Sequence, residues 1–252
     1  MRGVERQEQI KSYIHASHKV TVADLSNRWN VTEETVRRDL DKLEEQGFIT
    51  RIRGGAIWNA TVSRSGARFL ERKSRQVQAK QHIARCTEEF LRNCMTVAAD
   101  DSTTVLEALR AVGDDTSLKV LTNAVEPLIA SEEMAFQIIS TGGIFNRNAL
   151  AFYGETAAQT ILRYHVDLAL IGCAGLDLQK GVTDSNESEI VVKRTMLQQA
   201  DRVAVLADHT KFGRVAFLEL SDLDKISYLI TDERPPEEWV ARCAELGVEL
   251  IY

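Results

Sequence analysis

The sequence predicts an α/β chain in two parts, a small helical head followed by a larger, mostly parallel α/β sheet domain. Three observations predict it. Two helix patterns and a glycine-bearing basic stretch fill the first 57 residues, and seven short apolar runs alternate with helical stretches beyond them. The charge is also divided: residues 1–75 hold 15 Lys/Arg against 10 Asp/Glu, and the remainder holds 16 against 27, for a net −6. Alternating apolar runs and helices indicate a parallel sheet covered on both faces. A chain of 252 residues has room for one small and one medium domain, the larger able to bury its own core. The expected boundaries are 1–57 for the head, 58–75 for a linker and 76–252 for the sheet domain.

The chain opens Met1-Arg2-Gly3-Val4-Glu5-Arg6, which starts an amphipathic helix and not a signal peptide, and no apolar run approaches a membrane span. A short helix is expected over about Val22–Trp29, then a tight Asn30-Val31 turn and a longer helix. Thr32 suits its N-cap, and Glu33 and Glu34 sit where the positive end of the helix dipole favours acids. Val36, Leu40 and Leu43 recur at i, i+4 and i+7 and form the buried stripe. Arg38 then points directly away from that stripe, with Thr35 and Arg37 flanking it and Lys42 one turn further on. Two arginines on a helix face are ordinarily just a solvated surface. The sequel changes that reading: Gly47 fits a helix C-cap, Ile49 and Ile52 lie in short β segments, and Gly54-Gly55 can form a hairpin turn. The result is a two-strand wing carrying Arg51 and Arg53, which can reach phosphates or a minor groove. Three helices and a basic wing make a winged helix-turn-helix. The expected DNA-binding residues are Thr32, Thr35, Arg37, Arg38, Lys42, Arg51 and Arg53, and the partner is double-stranded operator DNA.

Ser, Gly and Arg dominate the linker from Trp58 to Arg68, and its Arg/Lys cluster at 64–75 reads as a solvated connector. A helix follows over roughly Gln76–Arg92. Seven strands are then expected, at 95–100, 118–122, 136–140, 166–171, 203–206, 226–230 and 248–251. Ligands in such sheets bind at the carboxyl ends of strands. After the first strand, Asp101-Ser102-Thr103-Thr104 enters a helix and offers hydroxyls and backbone N–H groups to an anion. Thr122-Asn123 follows the second strand, Gly142-Gly143 the third, Gly172-Cys173-Ala174-Gly175-Leu176-Asp177 the fourth, and Asp208-His209-Thr210-Lys211 the fifth. Any one of these is ordinarily a plain cap or turn, but five in one sheet suit a small phosphorylated ligand, with Lys211 and Lys193 as charge partners. The cysteines (Cys86, Cys94, Cys173, Cys243) and five histidines show no metal-ligand spacing. Neither a metal nor a cofactor is expected, and the free thiols suit a reducing cytoplasm.

The chain resembles the DeoR-type bacterial repressors of sugar catabolism. The resemblance rests on Val36-Arg37-Arg38-Asp39-Leu40, Leu43, Gly47 and Arg51-x-Arg53-Gly54-Gly55-Ala56, and it extends over essentially the whole sequence. The family's T-[IV]-R-R-D-L is matched by Thr35–Leu40. Its wing more often reads R-x-H-G-G-A, and here Arg53 replaces the histidine. The family's second domain resembles ribose-5-phosphate isomerases, with a D-x-x-[ST]-T phosphate loop matched by Asp100–Thr104. T-N-[NAS] is matched at 122–124, G-G at 142–143, and D-H-[ST]-K-F-G at Asp208–Gly213. S-D-x-x-E-x-x-x-K is partly matched by Thr183-Asp184-Ser185-Asn186-Glu187-Ser188-Glu189 with Lys193. The resemblance thus implies an effector set of Asp101, Ser102, Thr103, Thr104, Thr122, Asn123, Gly142, Gly143, Asp177, Asp184, Glu187, Lys193 and Lys211. It implies a repressor of a carbohydrate-utilisation operon that senses a phosphorylated sugar or polyol, working as a homo-oligomer (dimer or tetramer) without a membrane. The alternative is a sugar-phosphate isomerase-like enzyme. Those isomerases carry D-G-A-D-E where this chain has Ala174-Gly175-Leu176-Asp177-Leu178, so two of three acidic positions are apolar, and proton transfer there would lack its carboxylates.

Overall fold

The computed structural model describes residues 3–45, 48–58 and 66–252, and the chain divides into two units, Met1–Leu70 and Glu71–Tyr252. The first unit runs α1 (Gly3–Ser17), β1 (Lys19–Thr21), α2 (Val22–Trp29), α3 (Glu33–Glu45), β2 (Ile49–Ile52) and β3 (Gly55–Trp58). The Thr21 hydroxyl accepts a hydrogen bond from the Asp24 N–H at 3.1 Å and so caps α2. Asn30 ends that helix in the left-handed region, at φ 50°, a conformation asparagine tolerates better than most side chains. The expected stripe of α3 is buried: Val36, Leu40 and Leu43 pack with Ile10, Ile14 and Leu25 in one core.

The wing has three strands, not the expected two, because β1 pairs antiparallel with β3 as β3 does with β2. A three-residue strand with one buried residue, Val20, is too short to show alternation. Gly55 is required by this pairing, since a Cβ there would lie 2.0 Å from the Val20 carbonyl oxygen. The expected C-cap, Gly47, and residues 59–65 of the expected linker lie outside the described residues. Most of the linker's described remainder is helical: α4 spans Ala67–Ser74. Leu, Arg, Glu and Lys are good helix formers, and a buried Phe69 gives the segment an apolar contact.

The second unit continues with α5 (Val77–Arg92), β4 (Thr96–Ala99), α6 (Thr103–Ala111), β5 (Lys119–Thr122), α7 (Glu126–Ile129), β6 (Gln137–Ser140), β7 (Ile144–Asn146), β8 (Ala151–Tyr153) and α8 (Glu155–Ile161). It closes with β9 (Val166–Gly172), β10 (Gly175–Asp177), β11 (Gly181–Asp184), α9 (Glu187–Gln198), β12 (Ala200–Leu206), β13 (Leu218–Ser221), β14 (Tyr228–Ile230), α10 (Glu237–Leu246) and β15 (Glu249–Ile251). The seven expected runs are the seven strands of a parallel sheet ordered β15-β14-β12-β9-β4-β5-β6. Val97, Ala98, Leu168, Ala169 and Leu170 are buried because helices cover both faces.

The order of the strands positions the site. From β4 the chain builds β5 and β6 to one side, then returns to place β9 and its successors on the other. The carboxyl ends of β4 and β9 therefore diverge at a switch point, where a parallel sheet leaves a crevice. The β7-β8 hairpin and the small antiparallel sheet β10-β11-β13 were not expected from the sequence. Their strands are only three or four residues long. No described helix is long and apolar enough to cross a membrane.

Candidate functional site

At the switch point the chain leaves β4 through Asp100. Its carboxylate accepts the Ser102 N–H and the Gly172 N–H, both at 2.9 Å, and so ties the end of β4 to the end of β9. A Cβ on Gly172 would lie 2.2 Å from the Ser102 hydroxyl oxygen, so the N-terminus of α6 can settle there only over a glycine. The Ser102 hydroxyl caps α6 by accepting the Thr104 N–H at 3.3 Å. Ser102, Thr103 and Thr104 form one wall of a cleft of about 390 Å³. Asp208, Thr210, Lys211 and Arg214 form the opposite wall. A third side comes from residues ahead of the sheet: Arg72, Arg75, Gln76 and Lys80.

Five cations and one carboxylate thus face this cleft beside a helix N-terminus, an arrangement that favours a phosphate or carboxylate ligand. Lys80 is buried, and its ammonium donates to the carbonyls of Arg72 and of Arg75, the latter at 2.6 Å. Burial, reinforced by Lys211 and opposed by Asp208, pushes Lys80 down to about 8. Burial pushes the Cys173 thiol up to about 12, so this cysteine lines the cleft as a neutral group.

Beneath the cleft lies a network of buried charge. The Lys193 ammonium donates to Asp184 at 2.6 Å and to the Gly172 carbonyl at 3.0 Å, and lies 3.1 Å from Asp100. Burial works against the charged Lys193, and Asp100 and Asp184 overcome it, holding the group well above the ordinary lysine value. Asp101 accepts the Tyr153 hydroxyl at 2.9 Å, the Asn123 amide at 3.4 Å and the Arg72 guanidinium at 3.4 Å. Two buried polar atoms bordering Asp101, Arg72 Nε and Asn123 Oδ1, have no hydrogen-bond partner among the described residues. Burial and the nearby Asp101 push Glu189 up to about 7, against Lys193 and Arg72.

The expected effector residues therefore separate. Ser102, Thr103, Thr104 and Lys211 line the cleft, while Asp101, Asn123, Asp184 and Lys193 form the network below it. Lys193 neutralises carboxylates and does not face the cleft. The Thr122 hydroxyl is spent on the backbone, donating to Ala99 and accepting from Ala124. Gly142 and Gly143 lie away from the cleft; a Cβ on Gly143 would meet the Tyr153 carbonyl oxygen at 2.6 Å, so it serves the packing of the β7-β8 hairpin. Asp177 closes a turn by accepting the Gln179 and Lys180 N–H groups, and Glu187 is exposed on the first turn of α9. Glu189, two residues on, is the buried acid, and its i,i+4 spacing to Lys193 is the signal that could have found it. Arg72, Arg75 and Lys80 were missed because nothing in the local pattern shows a charged stretch folding back onto a later strand. His209, Asp232 and Glu233 bring ligand atoms within 4.8 Å of one another. His209 Nδ1 already pairs with Asp232 at 2.7 Å.

In the first unit, Thr32 caps α3 by accepting the Thr35 N–H at 3.2 Å. Arg37 and Arg38 are exposed and pair within the helix with Glu33 at 2.9 Å and Glu34 at 3.4 Å. Lys42 is exposed, as is Arg53 at the wing turn. Arg51 differs. It bonds Asp41 at 2.5 Å and the Arg37 carbonyl at 3.2 Å, and its N–H donates to Glu44 at 2.6 Å, so it braces β2 against α3. Asp39, which sequence reasoning left without a role, is buried, and it accepts Arg6 at 2.7 Å and Gln7 at 2.9 Å, locking α1 to α3.

Comparison with known proteins gives two family matches, a DeoR-like helix-turn-helix domain at residues 6–62 and a DeoR C terminal sensor domain at residues 75–233. The chain is 34% identical to an uncharacterized HTH-type transcriptional regulator, YulB, of Bacillus subtilis (strain 168), over 92% of this chain and 90% of that one. It is 32% identical to a putative aga operon transcriptional repressor of Escherichia coli O157:H7, over 98% and 93%. It is 33% identical to the HTH-type transcriptional repressor GlcR of Bacillus subtilis (strain 168), over 98% and 95%. Among solved structures, ribose 5 phosphate isomerase A from Neisseria gonorrhoeae aligns with 53% of this chain and 52% of its own at 11% identity and a TM-score of 0.37.

Proposed function

The chain belongs to the DeoR family of DNA-binding transcriptional regulators, a family of regulators and not of enzymes, and from that premise we propose that it represses a carbohydrate-utilisation operon under the control of a phosphorylated sugar or polyol. One observation carries the ligand class: the cation-lined cleft, at the switch point of the sheet, into which the N-terminus of α6 opens. Ser102, Thr103 and Thr104 would receive the phosphate, with Lys211, Arg214 and Lys80 balancing its charge. The buried Asp101 and Asn123 offer acceptors to sugar hydroxyls. In the head, Thr35, Arg37 and Arg38 would read the major groove, Arg53 and Lys42 would meet phosphates, and Arg51 would hold the wing in place.

Few phosphate contacts per head are available, so a homo-oligomer, dimer or tetramer, would supply the grip on paired half-sites. The four cysteines are unpaired, which accords with action in a reducing cytoplasm. A thermal-shift panel of phosphorylated sugars and polyols, each beside its unphosphorylated parent, tests the ligand class. A true effector at ~100 times its Kd adds ~2.7 kcal/mol to stability, and it should also change operator affinity by roughly 5- to 150-fold. Stabilisation by parent and phosphorylated compound alike would refute the phosphate seat.

A further inference from the structure

Residues 63–74 fall between the two family matches, yet Arg72 from this stretch lines the cleft. Its contact to Asp101 is long, 3.4 Å, where a strong pairing of this kind sits near 2.7–2.9 Å. Its Nε is buried with no partner among the described residues, so a guanidinium built to donate five hydrogen bonds is only partly used. Asp101, for its part, already holds the Tyr153 hydroxyl at 2.9 Å. The Lys80 ammonium, on the cleft wall, grips the Arg72 and Arg75 carbonyls and fixes the end of α4 to the same space. Leu70, two residues before Arg72 on α4, packs against the hydrophobic core of the first unit.

We propose that Arg72 is the residue through which the cleft reports its occupancy: a bound phosphate draws the guanidinium away from Asp101, and α4 passes the change to the DNA-binding unit. The inference rests on the reading of the cleft as a phosphate seat. The exchange is favourable because a phosphate can take two parallel N–H donors from an arginine, where Asp101 receives one long contact. Asp101 keeps Tyr153 and Asn123 as partners when Arg72 leaves. The size of the signal equals the difference in ligand affinity between the two Arg72 positions.

The test uses the full-length chain with inorganic phosphate as probe, read by thermal shift and by hydrogen exchange over residues 67–74. In the wild type, phosphate stabilises the protein and alters exchange in α4. Arg72→Lys keeps the charge and loses the fork; phosphate should bind about tenfold more weakly, the size of one lost charge-assisted hydrogen bond, and the α4 response should vanish even at saturation. Asp101→Asn removes the competitor and should tighten phosphate binding, a gain that no folding defect produces. An undiminished α4 response in Arg72→Lys, or phosphate binding unchanged or weakened in Asp101→Asn, overturns the role of Arg72 and leaves the cleft reading standing. A wild-type chain indifferent to phosphate overturns both.

Discussion

The two units use the same chemistry, cations beside carboxylates, under opposite conditions. On α3 the side chains of Arg37 and Arg38 are 51% and 76% exposed, each paired with a glutamate one turn away. At the switch point Lys193 is 5% exposed between Asp100 and Asp184, at 0% and 5%. Exposed pairs contribute roughly 0–1 kcal/mol and weaken with salt. Such arginines can exchange a glutamate for a DNA phosphate or base at little cost. Buried charges have no water to fall back on, so removing one partner strands the other. Mobile charge thus suits the surface that must let go of its partner, and fixed charge suits the sheet ends that must hold a crevice open in one shape.

The sharpest way to break this comparison is Lys193→Met. It strands Asp100 and Asp184, and a loss of about 3–5 kcal/mol is expected in urea unfolding; a loss as small as that of a surface pair would show the network to be incidental. Arg38→Ala should leave unfolding unchanged and remove about 1–3 kcal/mol of operator discrimination at matched salt. Equal weakening on all sequences would make Arg38 a phosphate contact instead of a reader. A further test concerns pH. Glu189, held at about 7, keeps a proton in the folded state that the unfolded chain has released above 4.5, so its protonation stabilises the fold at low pH and that stability is lost as pH rises through about 7. Glu189→Gln should flatten that part of the stability profile, measured by denaturation at a series of pH values. An unchanged slope would assign the titration to another group.

How much of this was legible in the sequence depended on whether a residue's neighbours in space were also its neighbours along the chain. All seven strands of the parallel sheet announced themselves as short apolar runs, and those at its centre, β4 and β9, are the most fully buried. The stripe of α3 did the same through its helical period. Strands β1, β7 and β10 are too short for any period, and they owe their existence to pairing partners elsewhere. The site divided along the same line. Ser102–Thr104 and Lys211 follow directly on strands, and the rule that ligands sit at strand ends finds them. Arg72 and Lys80 precede the sheet and reach the cleft only through the turn at Gln76, a left-handed residue at φ 50°. Glu187 and Glu189 differ only in helical phase: the motif marks Glu187, which is exposed, and the buried acid beside Lys193 is Glu189.

The pairing of β4 with β9 also has a consequence in time. Asp100 and the Gly172 N–H it holds are 72 residues apart, and chains are synthesised at about 5–20 residues per second. For roughly 4–14 seconds, therefore, a growing chain presents β4 as an open sheet edge, its β9-facing flank unpaired. The head, encoded by the first 70 residues, has left the ribosome before β9 is made. Slowing synthesis over residues 100–172 should lengthen the exposure of that edge and raise the yield of aggregated chain, whereas the same delay placed after β12 should leave the exposure of that edge unchanged.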